Sequence, residues 1–380
     1  MPAIRYLKKR IGHTYLVWFQ NSNLYAQLEE PSWFVFRKTV KRYKADTIAS
    51  EFSLRYDISP DVSLVFVRKL RLEIEEMNQL TIAPDNINQV SDELSEYKFV
   101  PYSTHYYDLG NRMITFSYET RLFEYYLHPL IAHFETNPGL SDLPLFELFS
   151  YQERIIFRHD GVIRGSWNKD ETHLLKGLIF MYLINTMHDK TDADWLMTIH
   201  ASAITNGKKT ILFSAAPGKG KTTIAALLQT RGYPLISDDF VPVDRDSLNA
   251  YPFPIAMSVK QGSMDLLASQ FPDLEQKPVT YISPEKCVRY LPPNHTEVIK
   301  AIYPVKEIIF IEYNNLVDFV WEKLDPVKSI KLLLDQAWVL PAPENAVRLF
   351  DWILRTNFYQ LTYSNNEKAL DAITNLFDHD

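Results

Sequence analysis

The chain has 380 residues, 46% of them hydrophobic and 23% charged, which is enough apolar content for two or more cored domains. A formal net charge of −7 gives no overall attraction to nucleic acid, and the longest mainly apolar stretch, the eleven residues 177–187, is too short to span a bilayer. A single cysteine, Cys287, excludes an intrachain disulfide, and with no signal-peptide pattern in the opening residues a cytoplasmic location is expected.

Charge is unevenly spread. Residues 1–44 carry nine basic side chains (Arg5, Lys8, Lys9, Arg10, Arg37, Lys38, Lys41, Arg42 and Lys44) against Glu29 and Glu30, so an acidic partner could dock there. The β-branched and aromatic run 14–19 predicts a strand, and 31–41 predicts a helix with Pro31 in its first turn. Asp46 is expected to cap a helix through Leu54. Ser59 and Pro60 read as the N-cap and first residue of a longer helix with Val62, Phe66, Leu70, Ile74 and Met77 on one face.

One short strand followed by three helices within residues 1–80 describes a winged-helix-like domain. With Tyr15, and with Ile48, Phe52 and Tyr56 on the middle helix, residues 8–78 resemble the PqqD-like domain that recognises leader peptides of ribosomally made, modified peptides. The resemblance implies a precursor or leader peptide as partner. Such a peptide would add as a strand to the sheet edge, bracketed by residues 16–19 and the helix over 66–74, and nearby basic residues would favour acidic leaders. Trp33, Phe34, Phe36 and Tyr43 read as core, so a nucleic-acid partner is not expected.

Polar residues 81–96 read as a linker, leaving 97–380 as the second domain. Strands are expected over 112–118, 154–158 and 161–167, with helices over 124–134 and 172–187. His105, His128, His133, His159, His173, His188 and His295 show no paired zinc-ligand spacing and read as structural or exposed. No GxSxG elbow supports serine-hydrolase chemistry.

The run HASAITNGKKTILFSAAPGKGKTTIAALLQTRGYPLISDD, residues 200–239, carries the chemistry. A strand over 210–213 enters a loop of Ala216, Pro217, Gly218, Lys219, Gly220, Lys221, Thr222 and Thr223, which opens a helix: the order of a phosphate-binding P-loop. Glycines let backbone N–H groups approach a polyphosphate, and the helix N-terminus adds unpaired donors and a positive dipole. Lys221 is expected to reach the phosphates and Thr222 to ligate Mg2+. Ala215 stands where the motif has its first glycine. After the helix, an apolar strand, read as a parallel strand of the sheet, ends in Asp238 and Asp239; one carboxylate can hold Mg2+ while the other takes a proton.

His200, the loop and the aspartate pair at this spacing resemble the core of the HPr kinase/phosphorylase family, related in fold to phosphoenolpyruvate carboxykinases. The resemblance implies an α/β P-loop domain that uses ATP and Mg2+. It gives His200 an active-site role, Lys221 the phosphate contact, Thr222 and Asp238 the metal, and Asp239 the acceptor proton. It also implies a homo-oligomer. Residues 251–260, 290–293 and 358–363 look like the members found beside peptide-modification genes. The sugar-uptake regulators' loop, with its additional arginine and metal-binding glutamate, has no counterpart, which removes support for HPr as substrate; Lys260 and Arg289 are the nearest candidates for extra phosphate contacts.

The chain therefore reads as an ATP-dependent kinase acting on a serine-type hydroxyl of a peptide docked on the first domain. The alternatives are a kinase of a small molecule such as free serine, and a non-catalytic ATP-binding regulator with a nucleic-acid-binding winged helix. Further strands and helices are expected over 306–312, 328–338, 345–354 and 369–377, the last opened by a Ser364–Glu367 capping box.

Overall fold

The computed structural model describes residues 3–79, 94, 97–138, 142–294 and 302–378. Of the expected linker over 81–96 only Leu94 falls among these, and His295 lies outside them. The architecture is mixed α/β, and among the described residues no helix is long and apolar enough to cross a membrane. The chain divides into two compact units, one built from the described residues of Met1–Ala83, Asp325–Ile330 and Val339–Arg355, the other from the rest.

In the first unit the run TYLVWF forms β2 (Thr14–Phe19), the middle strand of an antiparallel meander between β1 (Tyr6–Ile11) and β3 (Leu24–Glu29). Neighbouring side chains on a strand point to opposite faces, yet Tyr15 to Phe19 are all buried, so both faces of the sheet are covered. Tyr15, Val17 and Phe19 pack with α1 (Glu30–Val40), α2 (Ala45–Tyr56) and α3 (Pro60–Met77). Trp33 stacks on Tyr15 at 4.4 Å between ring centroids.

The helix Pro343–Ile353 also packs on this meander. Phe350 meets Tyr25 edge-on at 6.1 Å, Lys9 pairs with Asp351 at 3.0 Å, and the Asn23 amide donates to the Val339 carbonyl at 2.7 Å. The first unit is thus completed by residues far downstream.

Three details of this unit differ from expectation. Asp46 lies inside the first turn of α2, whose N-cap is Lys44. On α3 the buried residues are Ser63, Val67, Leu70 and Ile74; Leu70 and Ile74 lie on the expected face, Phe66 and Met77 pack beside them partly buried, and Val62 is exposed. Residues 16–19 lie in the middle strand, where both ladders are already paired, so they cannot be the edge that accepts another strand.

The second unit holds a six-stranded sheet in the order Glu135–Thr136, Ser103–Asp108, Met113–Tyr118, Leu145–Tyr151, Arg154–His159, Val162–Trp167, with one parallel pairing, between the third and fourth strands. Its buried Arg158 makes a two-pronged contact with Glu147, at 2.5 and 2.7 Å, and also donates to the Leu94 carbonyl. Leu94 itself packs against Phe149, Ile156 and Ile163.

The larger sheet runs Leu235–Ser237, Ala201–Thr205, Thr210–Ser214, Tyr303–Tyr313, Asn357–Tyr363, Phe319–Leu324 along one path. Ala201–Thr205 and Thr210–Ser214 are buried at every position, as strands covered on both faces are. Leu235–Ser237 is not a parallel neighbour of the strand Thr210–Ser214. Ala201–Thr205 lies between them, antiparallel to both, so the outer two still point the same way.

Toward the chain end, the helix expected over 328–338 is Pro326–Leu334, followed by the short strand Ala337–Val339. The last helix, Asn366–Asp378, is opened by Asn365, whose side-chain oxygen accepts from Lys368 N–H at 3.1 Å, in place of the expected Ser364–Glu367 box.

Candidate active site

The antiparallel strand between two co-directional ones explains how the site assembles. Thr210–Ser214 and Leu235–Ser237 both end at the sheet margin where Ala201–Thr205 begins. The residue just before that beginning is His200; the residues just after the two ends are the loop 215–220 and the pair Asp238–Asp239. Three segments, up to 39 positions apart in sequence, converge on one margin, and the helix Lys221–Thr230 starts there.

Gly218 and Gly220 carry φ of 83° and 99°, the left-handed region that favours glycine. A Cβ on Gly220 would stand 2.8 Å from the Tyr363 hydroxyl, so space as well as torsion selects glycine here. Ala215 is buried and has no positive φ, which is why alanine is tolerated at the motif's first position. The loop is pinned from behind: Tyr313 N–H donates to the Lys219 carbonyl at 3.0 Å, and the Lys219 ammonium is turned out to Glu312 at 2.8 Å. Ala216, Pro217 and Gly218 form the exposed crest. Gly220 caps the helix with no side-chain acceptor, leaving the N–H groups of Lys221, Thr222 and Thr223 without an intrahelical partner.

Lys221 is buried, and its ammonium donates to His200 Nε2 at 2.9 Å and to Asp239 Oδ1 at 3.0 Å. The His200 Nδ1–H group faces the Asp239 carbonyl at 3.1 Å and its carboxylate at 3.2 Å. A histidine that accepts from an ammonium is neutral. Burial first, and then the Lys221 charge, push the His200 pKa below its ordinary value against the pull of Asp239.

The two aspartates sit in opposite environments. Asp238 is 2% exposed and accepts from the hydroxyls of Ser202 and Thr222, the latter at 3.1 Å. Burial and the adjacent Asp239 charge push its pKa up, against Lys221 and the two hydroxyls. Asp239 has φ of 73° and a side chain 45% exposed. Burial opposes its ionisation, but the Lys221 charge and hydrogen bond, with the Lys176 charge, win and hold its pKa at about 2. One carboxylate is enclosed and unfavourably charged; the other is ionised and open.

That donor set fits a hard divalent cation at Asp238 and Thr222. Such an ion takes oxygen ligands and would relieve the cost of a buried carboxylate, while the uncapped helix end fits a polyphosphate. His200, Lys221, Thr222, Asp238 and Asp239 are therefore brought together, and the remaining loop residues surround them. Arg289 is not available: its guanidinium donates to the carbonyls of Leu274 and Glu275. Lys260 is the exposed N-cap of the helix Gln261–Ala268.

Two residues had not been singled out. Ser202 lies two positions after His200 in the strand Ala201–Thr205, and its hydroxyl donates to Asp238. Lys176 lies in the helix Thr172–His188, set over the Phe180 ring at 5.1 Å, and Phe180 in turn meets Phe240 at 5.8 Å, next to Asp239. Burial lowers its pKa, while the charges of Asp239 and Asp238 act the other way. Its only sequence signal was a lysine in an otherwise apolar helix. A scan against protein-family models finds no match to this chain, and a search of curated proteins finds none either.

Proposed function

We propose that the chain is an ATP- and Mg2+-dependent kinase that phosphorylates a serine-type hydroxyl of a precursor peptide docked on its first unit. The observation that carries the reading is the division of labour between adjacent carboxylates beside an uncapped, glycine-lined helix start. Asp238 is enclosed with Thr222, and Asp239 is ionised and half-exposed beside Lys221 and His200.

In this reading the loop N–H groups and Lys221 bind and orient the phosphates, which supplies the positioning and charge stabilisation that dominate phosphoryl transfer. Thr222 and Asp238 would hold Mg2+, which would supply charge neutralisation at the phosphates. Asp239 accepts the proton of the incoming hydroxyl, and its low pKa keeps it ionised at neutral pH. His200, donating from Nδ1 to Asp239, fixes the carboxylate's direction. The peptide adds to an outer edge of the meander, since β2 is paired on both sides. The basic residues of the first 44 favour acidic peptides.

The test is incubation with ATP, Mg2+ and either a serine-containing peptide library or free serine, followed by mass spectrometry. Phosphate on peptide serines, lowered by about 100-fold or more in Asp239→Asn with ATP binding retained, is the expected outcome. Phosphate only on free serine would move the reading to a small-molecule kinase, and unchanged transfer by Asp239→Asn would remove Asp239 as base.

A further inference from the structure

A second constellation lies on the six-stranded sheet, among residues the phosphate-loop chemistry does not use. His105 and Tyr107 share a face of the strand Ser103–Asp108, two positions apart. Glu135 stands across from Tyr107 in the neighbouring short strand. Glu124 and His128 lie one turn apart on the helix Arg121–Ile131, which packs on these strands. A ligand atom from each of His105, His128 and Glu135 falls within 4.8 Å of the other two.

The hydrogen bonds sort these groups into an inner and an outer set. His105 Nε2 is held by Glu124 at 2.6 Å, and His128 Nδ1 by the Tyr107 hydroxyl at 2.8 Å. Tyr107 is itself fully buried, and its hydroxyl lies 3.5 Å from that of Tyr118. Each imidazole thus has one nitrogen occupied by an oxygen partner: Glu124 accepts from His105 Nε2–H, and the Tyr107 hydroxyl can accept from His128 Nδ1–H in the tautomer that leaves Nε2 for a metal. The opposite nitrogens, His105 Nδ1 and His128 Nε2, converge on the Glu135 carboxylate, at 2.6 and 4.0 Å. Bonds of about 2.0–2.1 Å to one tetrahedral ion put ligand atoms about 3.3–3.4 Å apart, so the shorter gap would open and the longer one close, each by less than about 1 Å. A carboxylate or hydroxyl behind each histidine is the arrangement that orients metal-bound imidazoles.

We propose that His105 Nδ1, His128 Nε2 and the Glu135 carboxylate bind one divalent transition-metal ion of the zinc class, with Glu124 and Tyr107 as positioning residues. Two imidazoles and one carboxylate select such an ion over Mg2+ or Ca2+, which take oxygen ligands. Three protein ligands leave a coordination position for water, and the half-exposed Glu135 gives the ion a way in from solvent. The ion would tie the helix Arg121–Ile131 to the edge strand Glu135–Thr136. This site and the ATP site stand or fall separately.

The measurement is titration of the tag-free, chelator-stripped full chain with Zn2+, in excess Mg2+, against a chromophoric competitor. One equivalent should bind, and Co2+ should give a visible absorption band in its place. Glu124→Gln, which keeps size and helix propensity, should weaken binding by about 10- to 100-fold, and His128→Ala should abolish it. No stoichiometric Zn2+ binding, or affinity that Glu124→Gln leaves unchanged in a chain with native circular dichroism, overturns the proposal.

Discussion

Gly220 and Ala215 show how one loop can demand glycine at one position and ignore it at another. Gly220 combines φ of 99° with a hydroxyl 2.8 Å from where a Cβ would stand, whereas Ala215 has no positive φ. Gly220→Ala should cost about 1–2 kcal/mol of stability and weaken ATP binding, while Ala215→Gly should change stability by less than about 1 kcal/mol and leave binding intact. Urea unfolding and calorimetric titration of the two variants check this, and equal effects would remove the torsional argument. The residues of the cluster were legible because those of the loop are close in sequence and Gly218, Gly220, Lys221 and Thr222 stand out by type. Lys176 was not, because one ammonium in an apolar helix gives no sign of what it faces. Nor was the meeting of His105, His128 and Glu135, which depends on strand pairing and helix placement.

Elements tell a similar story about local and distant information. The strand Thr14–Phe19 announces itself by β-branched and aromatic residues. Its neighbours Tyr6–Ile11 and Leu24–Glu29 mix charge with apolar residues, as partly exposed outer strands do, and their pattern is too weak to read alone. The position of Ala201–Thr205 between two co-directional strands is equally hidden, since pairing order is not a local property. Pairing is also what places His200 beside Lys221 and Asp239. The helix Pro343–Ile353 has a consequence for dissection. A fragment ending at residue 83 would lose the partner of Tyr25 and Lys9 and expose apolar sheet surface. That fragment should be less stable than the same unit with residues 339–355 restored through a linker, by a few kcal/mol at about 25 cal/mol per Å2 of apolar area. Equal denaturation midpoints for the two would show that the helix does not complete the unit.

At the scale of the whole molecule, buried histidines shape acid stability. His133 and His188 are held at about 4, mainly by burial, while their ring nitrogens face the carbonyls of Pro254 and Pro252. Both are neutral in folded and unfolded chains above about 6.5; between there and 4 the unfolded chain takes the protons first, so stability falls as pH falls. By contrast, the depressed Asp239 gives up its contribution only below the ordinary carboxylate range, as pH drops through about 2. Replacing His188 with Gln, which can still donate to Pro252, should shrink the stability difference between pH 7.5 and 5 by about 2 kcal/mol, at roughly 1.4 kcal/mol per pH unit. An unchanged difference in urea unfolding would contradict the assignment. Composition and motif position suggested a division at residues 81–96. The return of residues 339–355 to the first unit was not legible, because nothing local in that amphipathic helix says which surface it covers.

The central claim is that the convergence of Lys221, Thr222, Asp238 and Asp239 forms a site for ATP with Mg2+. Calorimetric titration of the intact chain with a non-hydrolysable ATP analogue, with and without Mg2+, tests it most directly. One site per chain is expected, strengthened by Mg2+, lost in Lys221→Met, and no longer Mg2+-dependent in Asp238→Asn. No binding, or binding indifferent to both substitutions in folded protein, would contradict it.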